Sequence, residues 1–222
     1  KMINPDSDLY RAHPDWLLAV PEYNQPTGRN QYALDLQNPD VFAYLLERLD
    51  DLLNRYDISY IKWDMNREIV QPGHEGKAAI TGQTHAVYRL FDELRTRHPR
   101  VEIESCASGG GRIDFEVLKR THRFWTSDNN DALERQQIQR GMSYFFPPEV
   151  MGSHIGSAHC HCTARSHSIQ FRGLTALFGH MGVELDPVKE SAEEQAGFAH
   201  FIKLHKQLRP LLHSGKVVRI DH

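Results

Sequence analysis

Short apolar runs alternate with longer stretches of helical period from about residue 30 to residue 212, the pattern that parallel β/α units produce. Residues 30–35 read as a short extended piece. Asn38 then stands as a cap before Pro39, and Phe42, Leu45, Leu46, Leu49, Leu52, Leu53 and Tyr56 recur at three and four, laying one apolar stripe along a helix. Further strands are expected over 58–63, 101–104, 123–126, 150–153 and near 183–185. Further helices are expected around 87–94, ending before Pro99, and over 113–121, 132–144, 168–178 and 191–212. The opening 4–28 is polar and proline-rich, and the stretch through Gly73 and Gly76 reads as a polar loop. Five β/α units are complete, whereas a closed (β/α)8 TIM barrel needs eight strands, so the expected fold is an α/β barrel of this class in partial form. An open doubly wound sheet also alternates in this way, but it normally carries a glycine-rich phosphate turn after its first strand, and none is present.

With 222 residues, 40% hydrophobic and 25% charged, the chain can bury a core and is unlike a disordered or fibrous polymer. The formal net charge of -3 supplies no basic field for nucleic acid. No apolar run approaches the roughly 20 residues of a membrane-spanning helix, and no leader resembling a signal peptide is seen. No membrane partner is therefore expected, and the location expected is cytoplasmic. Both ends read as cut, the last residues from Val217 looking like a strand just beginning. Three cysteines are an odd count, and Cys160 and Cys162 flank His161 too closely for an easy disulfide, which fits a reducing compartment.

In a parallel β/α barrel the chemistry sits at the C-terminal ends of strands, where two aspartates stand out. Asp64 ends the run Tyr60-Ile61-Lys62-Trp63-Asp64; at period two Lys62 and Asp64 share a face, and a buried ammonium there favours an ionised carboxylate fit to act as a nucleophile. A structural Lys-Asp ion pair fits the same spacing. Asp128 follows Phe124-Trp125-Thr126-Ser127, and beside Trp125, in a partly apolar site, it suits a general acid. Asp131 stands three before Glu134 at a helix start, a capping-box-like arrangement with a structural purpose. Two carboxylates in unequal environments are what glycoside hydrolysis requires.

The strings YIKWDMNR (60–67), ESCASGGGRID (104–114), WTSDNNDALER (125–135), MGSHIG (151–156) and FGHMGVELD (178–186) resemble the family 36 α-galactosidases of clan D, as do NPDSDLYRAHPDW and GRNQYALDL near the start. The resemblance implies a (β/α)8 catalytic domain that hydrolyses terminal α-1,6-galactosides such as melibiose and raffinose with retention. It implies Asp64 as nucleophile and Asp128 as acid/base. It also implies that galactose is held by Arg29, by Lys62, and by Cys106 with the glycine run that begins at Gly109, with Asn66 a neighbour from the same motif. The expected ligands are α-galactoside oligosaccharides, no cofactor or metal is expected, and the parent enzyme is expected to be a homo-oligomer. The family's N-terminal β domain, two earlier barrel strands and C-terminal β domain have no counterpart here. The expected layout is therefore a barrel domain over 1–215, holding about strands 3 to 8, and the start of a C-terminal β domain over 216–222.

Three other patterns compete. His154, His159, Cys160, His161, Cys162 and His167 suggest zinc, but adjacent residues converge poorly on one tetrahedral ion and a second ligand pair at standard separation is missing, so no metal site is expected. Galactosyl transfer or cleavage of α-N-acetylgalactosaminides would use the same two aspartates. A non-catalytic carbohydrate-binding piece would use Trp16, Trp63 and Trp125 as stacking surfaces, though three Trp are more often core.

Overall fold

The computed structural model describes residues 1–218 and 220. It divides into two compact units, 1–122 and 123–222.

In the first unit β1 (Met2–Ile3) and α1 (Asp8–Ala12) precede β2 (Tyr32–Ala33), which pairs antiparallel with β1. The opening read as merely polar thus carries a helical turn, capped by the Ser7 side chain, which accepts from the Tyr10 N–H. Next comes α2 (Pro39–Arg55), with Asn38 accepting from Asp40 N–H and Pro39 at the first position, as the sequence pattern requires. Its buried stripe is Val41, Leu46 and Leu53, flanked by Phe42, Leu45 and Leu49; Leu52, counted into the stripe, is exposed because it lies off its centre line, and Tyr56 because it stands past the helix end in extended backbone.

Strand β3 (Tyr60–Trp63) is followed by a hairpin, β4 (Gly73–His74) and β5 (Lys77–Ala78), where a polar loop was expected. A two-residue turn at Glu75 and Gly76, both with positive φ, closes it, a geometry with little apolar signature. Helix α3 (Ile80–Arg97) leads to β6 (Glu102–Ser105), which lies parallel to β3 with Lys62 opposite Glu104 and Trp63 opposite Ser105. Leu90, Phe91 and Leu94 of α3 close over the strands, with the Phe91 ring edge-on to Trp63 at 5.3 Å. Burying a side chain of this size contributes roughly 1.5–3 kcal/mol. The helix expected over 113–121 shortens to α4 (Phe115–Leu118), started by Asp114, whose carboxylate accepts from Val117 N–H at 2.7 Å.

In the second unit β7 (Arg123–Trp125), β8 (Met151–Gly156) and β9 (His180–Glu184) run parallel, with Trp125 opposite Gly152 and Gly152 opposite His180. Strand β9 starts three residues before the apolar Val183 that suggested it, because its pairing with β8 already begins at His180, opposite Gly152. Helices α5 (Ala132–Met142), α6 (Ile169–Ala176) and α7 (Ala192–Leu212) follow the three strands in turn. Ser168 and Ser191 cap α6 and α7, and Ile155, Ala176, Phe198 and Phe201 form the core between strand and helices. The two units together hold the five β/α repeats read from the sequence. The strand start expected over 216–222 falls partly on 219, 221 and 222, which lie outside the described residues. Among the described residues no helix is long and apolar enough to cross a membrane.

Candidate active site

In the first unit the carboxylate of Asp64 lies just past the end of β3. The strand end is held through the Trp63 carbonyl, which accepts from Cys106 N–H at 2.9 Å and from an Arg112 Nη at 3.0 Å. Arg112 also donates to the Cys106 carbonyl at 2.7 Å, so one guanidinium ties the ends of β3 and β6 together. Beyond that clamp the Asp64 Oδ2 accepts from Asn66 Nδ2, and Asn66 Oδ1 accepts from Ser108 N–H at 3.0 Å. Asn66 therefore bridges the carboxylate to the turn after β6. In that turn Ser108 and Gly109 have φ of 48° and 78°, a left-handed pair in which glycine carries no steric penalty. The other oxygen of Asp64, Oδ1, is buried and accepts no hydrogen bond among the described residues. A buried carboxylate oxygen left unengaged costs stability.

The Cys106 thiol lies against this carboxylate. Burial, reinforced by Asp64 and partly opposed by a hydrogen bond from the Gly109 backbone, pushes its pKa up to about 12. At neutral pH it is a neutral thiol with a proton to donate. Iodoacetamide at pH 8 is therefore expected to alkylate the exposed Cys162 and to spare Cys106 and the buried Cys160 in the folded protein, read by peptide mass spectrometry. Rapid labelling of Cys106 would show that its thiolate is accessible and that the buried placement is wrong.

The structure corrects one expectation on this side. Lys62 is not a buried ammonium: its side chain retains 33% exposure, and its Nζ lies 3.8 Å from Oε1 of the buried Glu104 opposite it on β6. Counting along one strand could not reveal a partner supplied by register between two. Arg29 is exposed at the tip of a tight turn, where Arg29 and Asn30 have φ of 53° and 58° and Gly28 and Gln31 exchange hydrogen bonds. What links that turn to the Asp64 loop is Arg67, which is buried and donates to the Gln31, Pro26 and Glu68 carbonyls at 2.9, 3.1 and 2.8 Å. Arg67 and Arg112 were missed as site residues. Their only signal was that each lies within one of the quoted motifs, and arginines with main-chain acceptors have no pattern of their own.

In the second unit Asp128 follows β7, and its Oδ1 accepts from the Trp125 indole N–H at 3.0 Å. Trp125 was expected to present an apolar wall; it presents a donor. Asp131 has the structural role expected of it, with a difference in detail. Its Oδ1 accepts from the Leu133 and Glu134 N–H groups and its Oδ2 from Thr163 and Arg165, while the Glu134 side chain pairs with Arg165 instead of closing a capping box. Burial alone would raise the Asp131 pKa; the bonds from Thr163, Glu134, Leu133 and Arg165 outweigh it and hold the pKa at about 2. Of the histidines and cysteines that suggested zinc, His154, His159 and His167 have partners outside the set, and among the described residues no group of three or more His, Cys, Asp or Glu side chains is placed to hold a metal ion. His154 bonds Glu184 at 2.7 Å, His159 bonds Ser166, His161 faces Cys162 at 3.3 Å, and His167 lies 3.4 Å from Asp131.

A family model described as Melibiase matches residues 1–215. An α-galactosidase of Escherichia coli is 65% identical over 221 residues, covering 100% of this chain and 31% of that protein. Alpha-galactosidase C of Emericella nidulans is 41% identical over 223 residues, covering 99% of this chain and 29% of that protein. Among solved structures, the GH36 α-galactosidase AgaA of Geobacillus stearothermophilus superposes with a TM-score of 0.92 at 37% identity, covering 96% of this chain and 31% of that one. A variant of the same enzyme was crystallised with raffinose and matches with a TM-score of 0.92 at 36% identity. The chain thus spans about 31% of the length of such relatives, and its fold is the corresponding part of an α/β barrel.

Proposed function

The chain belongs to the Melibiase family, and from that premise we propose that the protein is a retaining α-galactosidase that removes terminal α-1,6-linked galactose from oligosaccharides such as melibiose and raffinose. The observation that carries the reading is the Asp64 carboxylate at a strand end, with Oδ2 anchored by Asn66 and the neutral Cys106 thiol against it. Asp64 attacks the anomeric carbon from the β face while Asp128 gives its proton to the departing glycosidic oxygen. The bond to the aglycone breaks and a β-galactosyl ester forms on Asp64. Asp128, now a carboxylate, takes a proton from water, which attacks from the α face and releases α-galactose and free Asp64. In this reading the neutral thiol of Cys106, Asn66, Lys62, Arg29 and the backbone at Gly109 serve as donors toward the galactose hydroxyls. The mechanism calls for no metal or cofactor.

Residues 1–215 are the barrel part in this reading, 216–222 begin a further β domain, and the assembled enzyme is a homo-oligomer. The three cysteines are all free, which supports a cytoplasmic setting. The test is turnover of p-nitrophenyl α-galactoside and raffinose by the full-length protein, with the first-formed sugar anomer followed by proton NMR. Release of α-galactose before mutarotation is expected. First release of β-galactose would overturn the double displacement, and galactose appearing only on added sugar acceptors would mark a transferase.

A further inference from the structure

The side chain that meets Asp128 is fixed on every side. Trp125 is 1% exposed. The Arg135 guanidinium lies over its ring at 4.7 Å, itself pinned by bonds to the Ser127 and Gly152 carbonyls at 3.1 and 2.7 Å and to Gln139 at 3.1 Å. His154 stacks on the ring at 4.2 Å with an interplanar angle of 29°, and is held by Glu184. On β8, opposite Trp125, Gly152 allows this approach; a Cβ there would come within 2.9 Å of the indole Cε3. An indole so confined cannot turn, and its single N–H points at Asp128 Oδ1.

An indole N–H donates and never accepts. Oδ1 is thus held in the acceptor role, which a carbonyl oxygen fills better than a hydroxyl oxygen, so a proton carried by this carboxyl favours Oδ2. We propose that Trp125 is the positioning residue of the acid/base: locked between Arg135 and His154, its N–H occupies Asp128 Oδ1 and directs the transferable proton to Oδ2. The inference rests on the reading of Asp128 as acid/base. It gives the cation–π and stacking pairs around Trp125 a purpose, because a proton donor works only from a fixed position.

Trp125→Phe keeps a ring between Arg135 and His154 and removes the N–H. The readout is kcat/KM of the full-length enzyme on substrates of graded leaving group. Raffinose and methyl α-galactoside, whose leaving oxygens need a proton, are expected to lose about 10- to 100-fold, part of the typical contribution of a general acid. The 2,4-dinitrophenyl α-galactoside, whose leaving group departs without one, is expected to change by less than about threefold on the same grounds. A merely structural role would lower all three alike, and that result, or no loss on any of them, overturns the proposal. If Trp125→Phe fails to fold, 3-benzothienylalanine at position 125 replaces the N–H by sulfur at nearly the same shape, and the same pattern decides. Asp128→Ala serves as the separate control. If it shows no leaving-group dependence, Asp128 is not the acid/base and the reading itself falls; if it does and the position 125 variants do not, only the role of Trp125 falls.

Discussion

In the proposed mechanism Asp64→Ala is expected to lower kcat of the full-length protein by roughly 10⁴-fold or more, because the covalent nucleophile is removed and only binding and the remaining catalytic groups are left. Sodium azide restores part of the rate, and the geometry of the product identifies the missing group. With Asp64 gone, azide attacks the α-linked substrate from the β face and gives β-galactosyl azide. With Asp128 gone instead, as in Asp128→Ala, the β-galactosyl ester on Asp64 still forms from an activated substrate, azide takes the place of water on the α face, and α-galactosyl azide results. Thin-layer chromatography and NMR of the two azides read the roles directly. The same azide anomer from both variants, or a loss below tenfold in Asp64→Ala, would remove Asp64 from the nucleophile's position.

Asp131→Ala acts on stability. The carboxylate is fully buried, caps α5 through two backbone N–H groups and pairs with Arg165. Loss of a cap costs about 1 kcal/mol, and loss of a buried carboxylate strands partners that were bonded to it, so a total of about 3 kcal/mol is expected. The pH dependence has a definite sign. Because the folded pKa of about 2 lies below the ordinary 3.8, the charged form favours folding. That contribution is fully present above about pH 4 and is lost as pH falls toward 2. Urea unfolding of the wild type and of Asp131→Ala between pH 2 and 7 should show a gap that is widest near neutrality and narrows below pH 4. Hydrogen exchange should locate the loosening at Ala132–Met142. A variant as stable as the wild type at pH 7 would show that Thr163 and Arg165 do not depend on this carboxylate.

What the sequence made legible were features set by neighbours along the chain. Asn38 before Pro39 marks a helix start because the cap and its acceptor groups lie within a few residues, and Asp131 could be separated from Asp128 on the same ground. The candidate aspartates could be picked out because strand ends are where a parallel barrel exposes side chains. What stayed hidden depends on pieces far apart in sequence. Glu104 meets Lys62 only through the parallel register of β3 and β6. The donor face of Trp125 could not be anticipated from its apolar bulk, because which edge of a ring faces a neighbour is decided by what packs on its two sides. The hairpin at Gly73–Ala78 escaped for another reason: two-residue strands carry too few side chains to set up an alternation.

Arg67 grips the turn that bears Arg29 entirely by main-chain oxygens, those of Pro26, Gln31 and Glu68. Carbonyls are common to all residues, so the grip is blind to which side chains the turn displays. The mount that seats the turn is therefore independent of the side chains it displays, while the positive φ at Arg29 and Asn30 restricts which residues can occupy those two places. For directed evolution this separates two kinds of position, one open to diversification at Thr27, the other, Arg67 with the left-handed Arg29 and Asn30, to be left alone in every library.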